Sequence, residues 1–170
     1  MNKPIISIIC ALSDTRVIGI GDRIPWHIRE DLIRFKEKTL HHTIIMGRAT
    51  FDSLLKYYQK SGRPIPERNH IIATRDKNYS VAIPKTFIVS SIDKALEKAK
   101  EIELEEVFIS GGASIFKQTI DRAQKLYLTI VHTDLPGDKY FPDYSQFKKI
   151  VNKVDGESEN HHYTFLDLER

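Results

Sequence analysis

Short apolar runs alternate along the chain with segments of helical periodicity, and this alternation restricts the fold more than any other feature. The runs fall at 5–12, 43–46, 70–74, 86–89, 107–109 and 126–131. Most are apolar at successive positions, as strands are when both faces of their sheet are covered. Helical patterns at 29–40, 49–59, 92–102 and 113–121 can supply that cover. The expectation is therefore an α/β fold with a central mixed, mostly parallel sheet and flanking helices. After residue 132 helical periodicity fades. Pro136-Gly137, Pro142 and Asp155-Gly156 punctuate a tail whose β-leaning segments, 147–154 and 162–168, predict an antiparallel hairpin on the sheet edge. No internal repeat or linker divides the 170 residues, so one domain spanning 1–170 is expected.

Charge and cysteine usage narrow the partners. The formal net charge is +3, with lysines interleaved with acids rather than gathered into a basic arm, which argues against nucleic acid. A small polyanion needs only a few arginines. No apolar run approaches the roughly 20 residues that span a bilayer, and the N-terminus is not signal-like, so a cytoplasmic protein without a membrane partner is expected. Cys10 is the single cysteine, which excludes an internal disulfide or a cysteine metal site. The seven histidines form no metal-binding spacing, and no nucleophile signature appears.

Against that background Asp31 is oddly placed. On a helix it follows Ile28 by three residues and precedes Phe35 by four, so it shares their apolar stripe, while Arg29, Glu30 and Arg34 carry the outward charge. Desolvation raises the pKa of a carboxyl there and suits it to proton-linked chemistry. The alternative is a helix cap or a partly buried ion pair with Lys36 or Arg34.

Three junctions can bind anions. Gly111-Gly112 lies between a strand and a helix, where backbone N–H groups can approach a phosphate, although a tight turn has the same signature. Gly47-Arg48-Ala49-Thr50 and Thr74-Arg75 repeat the arrangement. In a parallel sheet these strand ends share one edge, so Arg48, Arg75 and the 111–114 turn either converge on one phosphorylated molecule or are separately solvated. Between the first strand and the Asp31 helix, 17–25 reads as a lid over a pocket or as a packed crossover.

Taken together, the residues resemble the dihydrofolate reductase family. The match runs nearly end to end: Arg16-Val17-Ile18-Gly19, Pro25-Trp26, 31–36 (Asp-Leu-Ile-Arg-Phe-Lys), 46–51 (Met-Gly-Arg-Ala-Thr-Phe), 62–66 (Gly-Arg-Pro-Ile-Pro), 110–116 (Ser-Gly-Gly-Ala-Ser-Ile-Phe), 126–129 and 137–142. The resemblance implies reduction of 7,8-dihydrofolate by NADPH, with hydride passing to pterin C6 and a proton to N5. It makes Asp31 the acid that holds the pterin, with Thr129 bonded to it and Trp26 beside the water that delivers the proton. Ile9, Leu32, Phe35 and Leu54 would wall the pocket, and Arg68, with Arg63 and Lys36 nearby, would meet the glutamate tail. For the cofactor it implies Ala11, Val17, Ile18, Gly19, Ile20, Gly21, Asp22 and Arg23 at the nicotinamide and ribose, and Gly47, Ala49 and Thr50 at the pyrophosphate. On the far side of that phosphate bridge it places Gly111, Gly112, Ala113, Ser114, Ile115, Phe116, Lys117 and Gln118. Arg48, Thr74, Arg75 and Ser90 would surround the adenosine end, whose 2′-phosphate selects NADPH. It also implies a cis bond between Gly111 and Gly112, a monomer, and antifolate inhibitors as ligands.

Residues 55–61 depart from the family pattern as an insertion, which bears on Arg63 more than on Arg68. Ser110 and Cys10 stand where an apolar residue and alanine are common, and both are expected to affect diaminopyrimidine binding. Two other readings compete: a ribosyl-aminopyrimidine reductase of riboflavin synthesis, and a non-catalytic nucleotide-binding module.

Overall fold

The computed structural model describes residues 2–170. Its elements run β1 (Ile5–Ser13), β2 (Val17–Gly19), α1 (Arg29–Thr39), β3 (Thr43–Gly47), α2 (Arg48–Ser61), β4 (Asn69–Ala73), β5 (Thr86–Val89), α3 (Ile92–Ile102), β6 (Glu106–Ile109), α4 (Ala113–Thr119), β7 (Lys125–His132), β8 (Lys139–Tyr140), β9 (Lys149–Glu157) and β10 (His162–Glu169). Eight strands form one sheet in the order β5-β4-β3-β6-β1-β7-β10-β9, and β2 and β8 form a separate ribbon. Pairing is parallel from β5 through β7 and antiparallel for β7-β10 and β10-β9.

Adjacent residues of the apolar strands face opposite ways, as the two-residue period requires. Ile8, Ile45, Ile71 and Ile109 point into a core with Ile92, Ala95, Leu96 and Ala99 of α3 and Ile115 and Phe116 of α4. Ile9, Ile44, Ile72 and Phe108 point the other way, against Phe51 of α2, with Phe35 of α1 and Leu54 and Leu55 of α2 at its margin. This two-sided burial is why the strands read as continuous apolar runs. α3 starts cleanly because Ser91 accepts a hydrogen bond from Lys94 N at 3.2 Å, a cap worth about 1 kcal/mol.

Three boundaries differ from expectation. α2 continues to Ser61, so the extra residues 55–61 extend the helix, which ends when Gly62 takes a left-handed conformation at φ +67°. The first strand of the tail hairpin runs to Glu157 rather than ending at 154, and the turn, closed by Ser158 N donating to His161 O, falls at 158–161. Gly156 lies inside β9 because the Tyr163 ring of β10 fills the place of a Cβ. The β2-β8 ribbon was not expected; two- and three-residue strands carry no periodicity to read.

Candidate active site

Asp31 sits in the first turn of α1, whose N-cap, Ile28, offers no side-chain cap. Its partner comes from the sheet: Thr129 Oγ1 donates to Asp31 Oδ1 at 2.6 Å. Thr129 pairs in register with Ala11 on β1 and Phe165 on β10, so the carboxylate hangs over the middle of the β1-β7-β10 face. Burial pushes the carboxyl above the ordinary carboxylate range, against the opposing pulls of the Thr129 hydroxyl and the Arg34 cation. Asp31 is thus neither a cap nor the partner of Lys36 or Arg34. The expectation that Arg34 faces outward is corrected. Its side chain is only 10% exposed, pairs with Asp167, donates to Leu128 O at 3.3 Å and lies over the Phe165 ring at 4.6 Å.

Around Asp31, Trp26 and Ile28 are buried with Val131 and Tyr163, and Ala11 packs on this cluster. Ile9 is buried, Phe35 and Leu54 are half-buried, and Leu32 is exposed at the rim. Cys10 donates to Ala11 O at 3.3 Å, and burial, then the nearby Asp31, raises its thiol pKa, so it is a neutral thiol. Ser110 Oγ is buried without a hydrogen-bond partner among the described residues.

One helical turn along α1, Arg68 stands over the Phe35 ring at 5.2 Å. It is 3% exposed, and none of its three guanidinium nitrogens has a hydrogen-bond partner among the described residues. Desolvation lowers its pKa, yet it is a permanent cation, so the geometry calls for an anion. Arg63 and Lys36 are exposed. His70, two residues on from Arg68, is also buried with both ring nitrogens unpartnered; desolvation and the neighbouring Arg68 depress it to about 4.

Two glycine junctions meet at the strand ends. Gly47 N donates to Gly111 O at 2.9 Å, and neither Gly47 nor Gly112, the N-caps of α2 and α4, carries a capping side chain. The Gly111-Gly112 bond is cis, and Gly111 has φ +123°. A Cβ at Gly112 would lie 3.5 Å from Thr50 Oγ1, so the hydroxyl and bare backbone line one narrow space. Beyond it a cleft of about 420 Å³ is lined by Thr74, Arg75 and Ser90, and by Lys77 and Tyr79, which sequence reasoning passed over. Arg48, exposed at the start of α2, pairs with Asp76 at 3.3 Å on this rim. Not every residue of the 111–118 segment reaches that space with its side chain. Ile115 and Phe116 are buried, the latter against Phe141, while Ser114, Lys117 and Gln118 face solvent and Gln118 bonds Ser114 Oγ at 3.1 Å. Ile115 and Phe116 still border the junction: Ile115 Cγ1 would lie 3.5 Å from a Cβ at Gly47, and the Phe116 ring 3.4 Å from a Cβ at Gly111.

The 17–25 segment is packed at its start and exposed towards its end. Val17 is buried and β2 is paired, whereas Ile24 is 66% exposed. The connection is held by Asp138 and Lys139: Gly21 N donates to Asp138 Oδ1 at 3.0 Å, Asp138 N to Gly19 O at 3.0 Å, and Lys139 Nζ to Gly21 O. Asp138 lies within a motif carrying the resemblance, but its partners are more than a hundred residues away and leave no local signal. Among the described residues no helix is long and apolar enough to cross a membrane, and no cluster of three or more His, Cys, Asp or Glu could hold a metal.

Comparison with known proteins gives this arrangement a context. The family model described as dihydrofolate reductase matches residues 5–170. The dihydrofolate reductase of Buchnera aphidicola subsp. Baizongia pistaciae is 36% identical, covering 97% of this chain and 98% of that protein. That of Bacillus subtilis is 34% identical, covering 97% and 94%. The structure of a dihydrofolate reductase from Enterococcus faecalis complexed with NADP(H) and RAB-propyl superposes with a TM-score of 0.82 at 30% identity, covering 98% of this chain and 96% of that one.

Proposed function

The chain belongs to the dihydrofolate reductase family, and from that premise we propose how its residues divide the work of the reaction. The protein reduces 7,8-dihydrofolate to tetrahydrofolate with NADPH. The observation that carries the assignment of roles is the pair of charges spaced along α1: a desolvated carboxylate, Asp31, and beside Phe35 one turn further on a buried guanidinium, Arg68, with no hydrogen-bond partner among the described residues. Dihydrofolate is complementary to both, with an amino-pyrimidinone edge at one end and a carboxylate tail at the other.

Asp31 accepts paired hydrogen bonds from the pterin 2-amino group and N3, fixing the ring and favouring its protonated form. Thr129 holds the carboxylate in that orientation. Ile9, Phe35, Leu54 and Leu32 enclose the ring, and Arg68 binds the α-carboxylate of the glutamate tail. The proton reaches N5 through water beside Trp26. The residues at the glycine junctions fit the dinucleotide: bare backbone at Gly47 and Gly111–Gly112 with Thr50 for the pyrophosphate, and Arg48, Thr74, Arg75 and Lys77 for the 2′-phosphate. NADPH, when bound there, supplies the hydride. Diaminopyrimidine antifolates present a similar hydrogen-bonding edge and bind at Asp31. We read the protein as a cytoplasmic monomer with no membrane partner, and its dispersed charge speaks against nucleic acid as a partner.

Asp31→Asn keeps an acceptor for Thr129 and removes the charge. Turnover, followed by loss of nicotinamide absorbance on mixing with NADPH and dihydrofolate, is expected to fall on the order of a hundredfold in kcat/KM at pH 7, the cost of replacing a charged pair of hydrogen bonds. Intact turnover would overturn the role given to the carboxylate.

A further inference from the structure

Arg34 and Asp167 are an unexplained expense in this fold. Both side chains are largely removed from water, at 10% and 13% exposure, and a buried ion pair gives no more stability than well-packed apolar residues of the same volume. Their place shows what they do. Arg34 is one turn along α1 from Asp31, and its side chain meets three successive features of the sheet: Leu128 O on β7, the Phe165 ring and the Asp167 carboxylate on β10. Leu128 immediately precedes Thr129, and Phe165 is the register partner of Thr129. The guanidinium therefore grips the strand segments on both sides of the hydroxyl that holds Asp31. Among the described residues it is also the cation that pulls on that carboxylate, and its own partner is the Asp167 carboxylate.

We propose that Arg34 and Asp167 form a positioning pair for Asp31: the Arg34 fork sets the height of α1 above Thr129, and the balance of the two charges sets how readily Asp31 ionises. The proposal rests on the reading of Asp31 as the carboxylate that binds the pterin. Other groups near Asp31 include the Glu30 carboxylate on α1, the Cys10 thiol on β1 and the Tyr163 phenol on β10, with Tyr127 of β7 beside Asp167 and Arg34. The Cys10 thiol and both phenols have raised pKa values and stay neutral. Glu30 is a like charge shared by every variant below, so differences among variants report the pair.

The test is the titration midpoint of the Asp31 carboxyl, read by carbon NMR in the free protein and assigned by the signal lost in Asp31→Asn, alongside the pH profile of kcat/KM. Arg34→Met removes the cation and leaves the Asp167 charge, so the midpoint moves to higher pH. Asp167→Asn leaves the cation uncancelled, so it moves to lower pH. A purely structural pair would instead loosen α1 in both variants, hydrate Asp31 and move both midpoints down. Midpoints that move in the same direction, or do not move, overturn the proposal. Should Arg34→Met fail to fold, the apolar double variant Arg34→Met/Asp167→Leu decides. Its midpoint must lie above that of Asp167→Asn, and one at or below it overturns the proposal. Arg34→Lys retains charge without the fork; a midpoint near the parent's is expected with a roughly threefold to tenfold loss of kcat/KM, and a parental kcat/KM overturns the positioning role. Opposite NMR shifts with an unchanged pH profile of kcat/KM would leave the pair standing and remove the role given to Asp31.

Discussion

Burial raises the Asp31 carboxyl, while Thr129 and Arg34 pull it down, so the charged side chain opposes folding at neutral pH. That cost is fully present above the folded-state pKa and disappears as pH falls to the ordinary carboxylate value. Asp31→Asn is therefore expected to raise Tm at pH 7 while lowering activity, with the gain absent in acid; a lower Tm at pH 7 would contradict it. Arg68 shows the same trade. Faced by the Tyr58 phenol and by no carboxylate among the described residues, its guanidinium is desolvated with little return until an anion arrives. Arg68→Leu should raise KM for dihydrofolate about 10- to 150-fold, the 1.5–3 kcal/mol of a charged hydrogen bond, with kcat little changed. Steady-state kinetics and a melting curve that rises rather than falls would check both halves.

At the scale of elements, the site depends on how two connections are held to the sheet. α1 is fastened by Thr129 to Asp31 and by Arg34 to Leu128 and Asp167, so its docking and the placing of the carboxylate are one event. The 17–25 connection is fastened by the segment that begins at Gly137. A Cβ at 137 would meet Gly19 O at 2.5 Å and collide with the Val17 side chain, and the Gly19 backbone cannot yield without parting β2 from β8. Gly137→Ala is expected to weaken NADPH binding about tenfold while the central sheet stays folded, since such strain costs about 1–3 kcal/mol. Fluorescence of Trp26, the only tryptophan, reports binding, and far-ultraviolet dichroism checks the fold. Unchanged affinity would show that the connection does not need this strap.

In the whole molecule, His70 of β4 is buried against the Phe51 ring of α2, 5.4 Å between centroids, two residues from Arg68, and is held neutral with a pKa near 4. The unfolded chain takes up a proton near 6.5 that the folded protein refuses, so stability is lost as pH falls from about 6.5 to about 4. The loss reaches up to about 3 kcal/mol. His70→Phe should flatten the pH dependence of urea unfolding in that window; an unchanged slope would contradict the assignment. The sequence by itself determined the alternation of strands and helices, the two-faced burial of the strands, the place of Asp31 on an apolar stripe and the glycine junctions, because each is a local pattern whose period is set by backbone geometry. It misplaced Arg34, passed over Asp138 and Asp167, and ended the first strand of the hairpin too early. Only the tertiary structure decided that β6 lies between β1 and β3, that Arg34 is buried, and that Thr129 meets Asp31. The Arg34–Asp167 and Thr129–Asp31 contacts span 133 and 98 residues. The entropy of closing such loops rises only with the logarithm of their length, so separation along the chain does not select one distant partner over another, and the choice falls to packing once the sheet has formed.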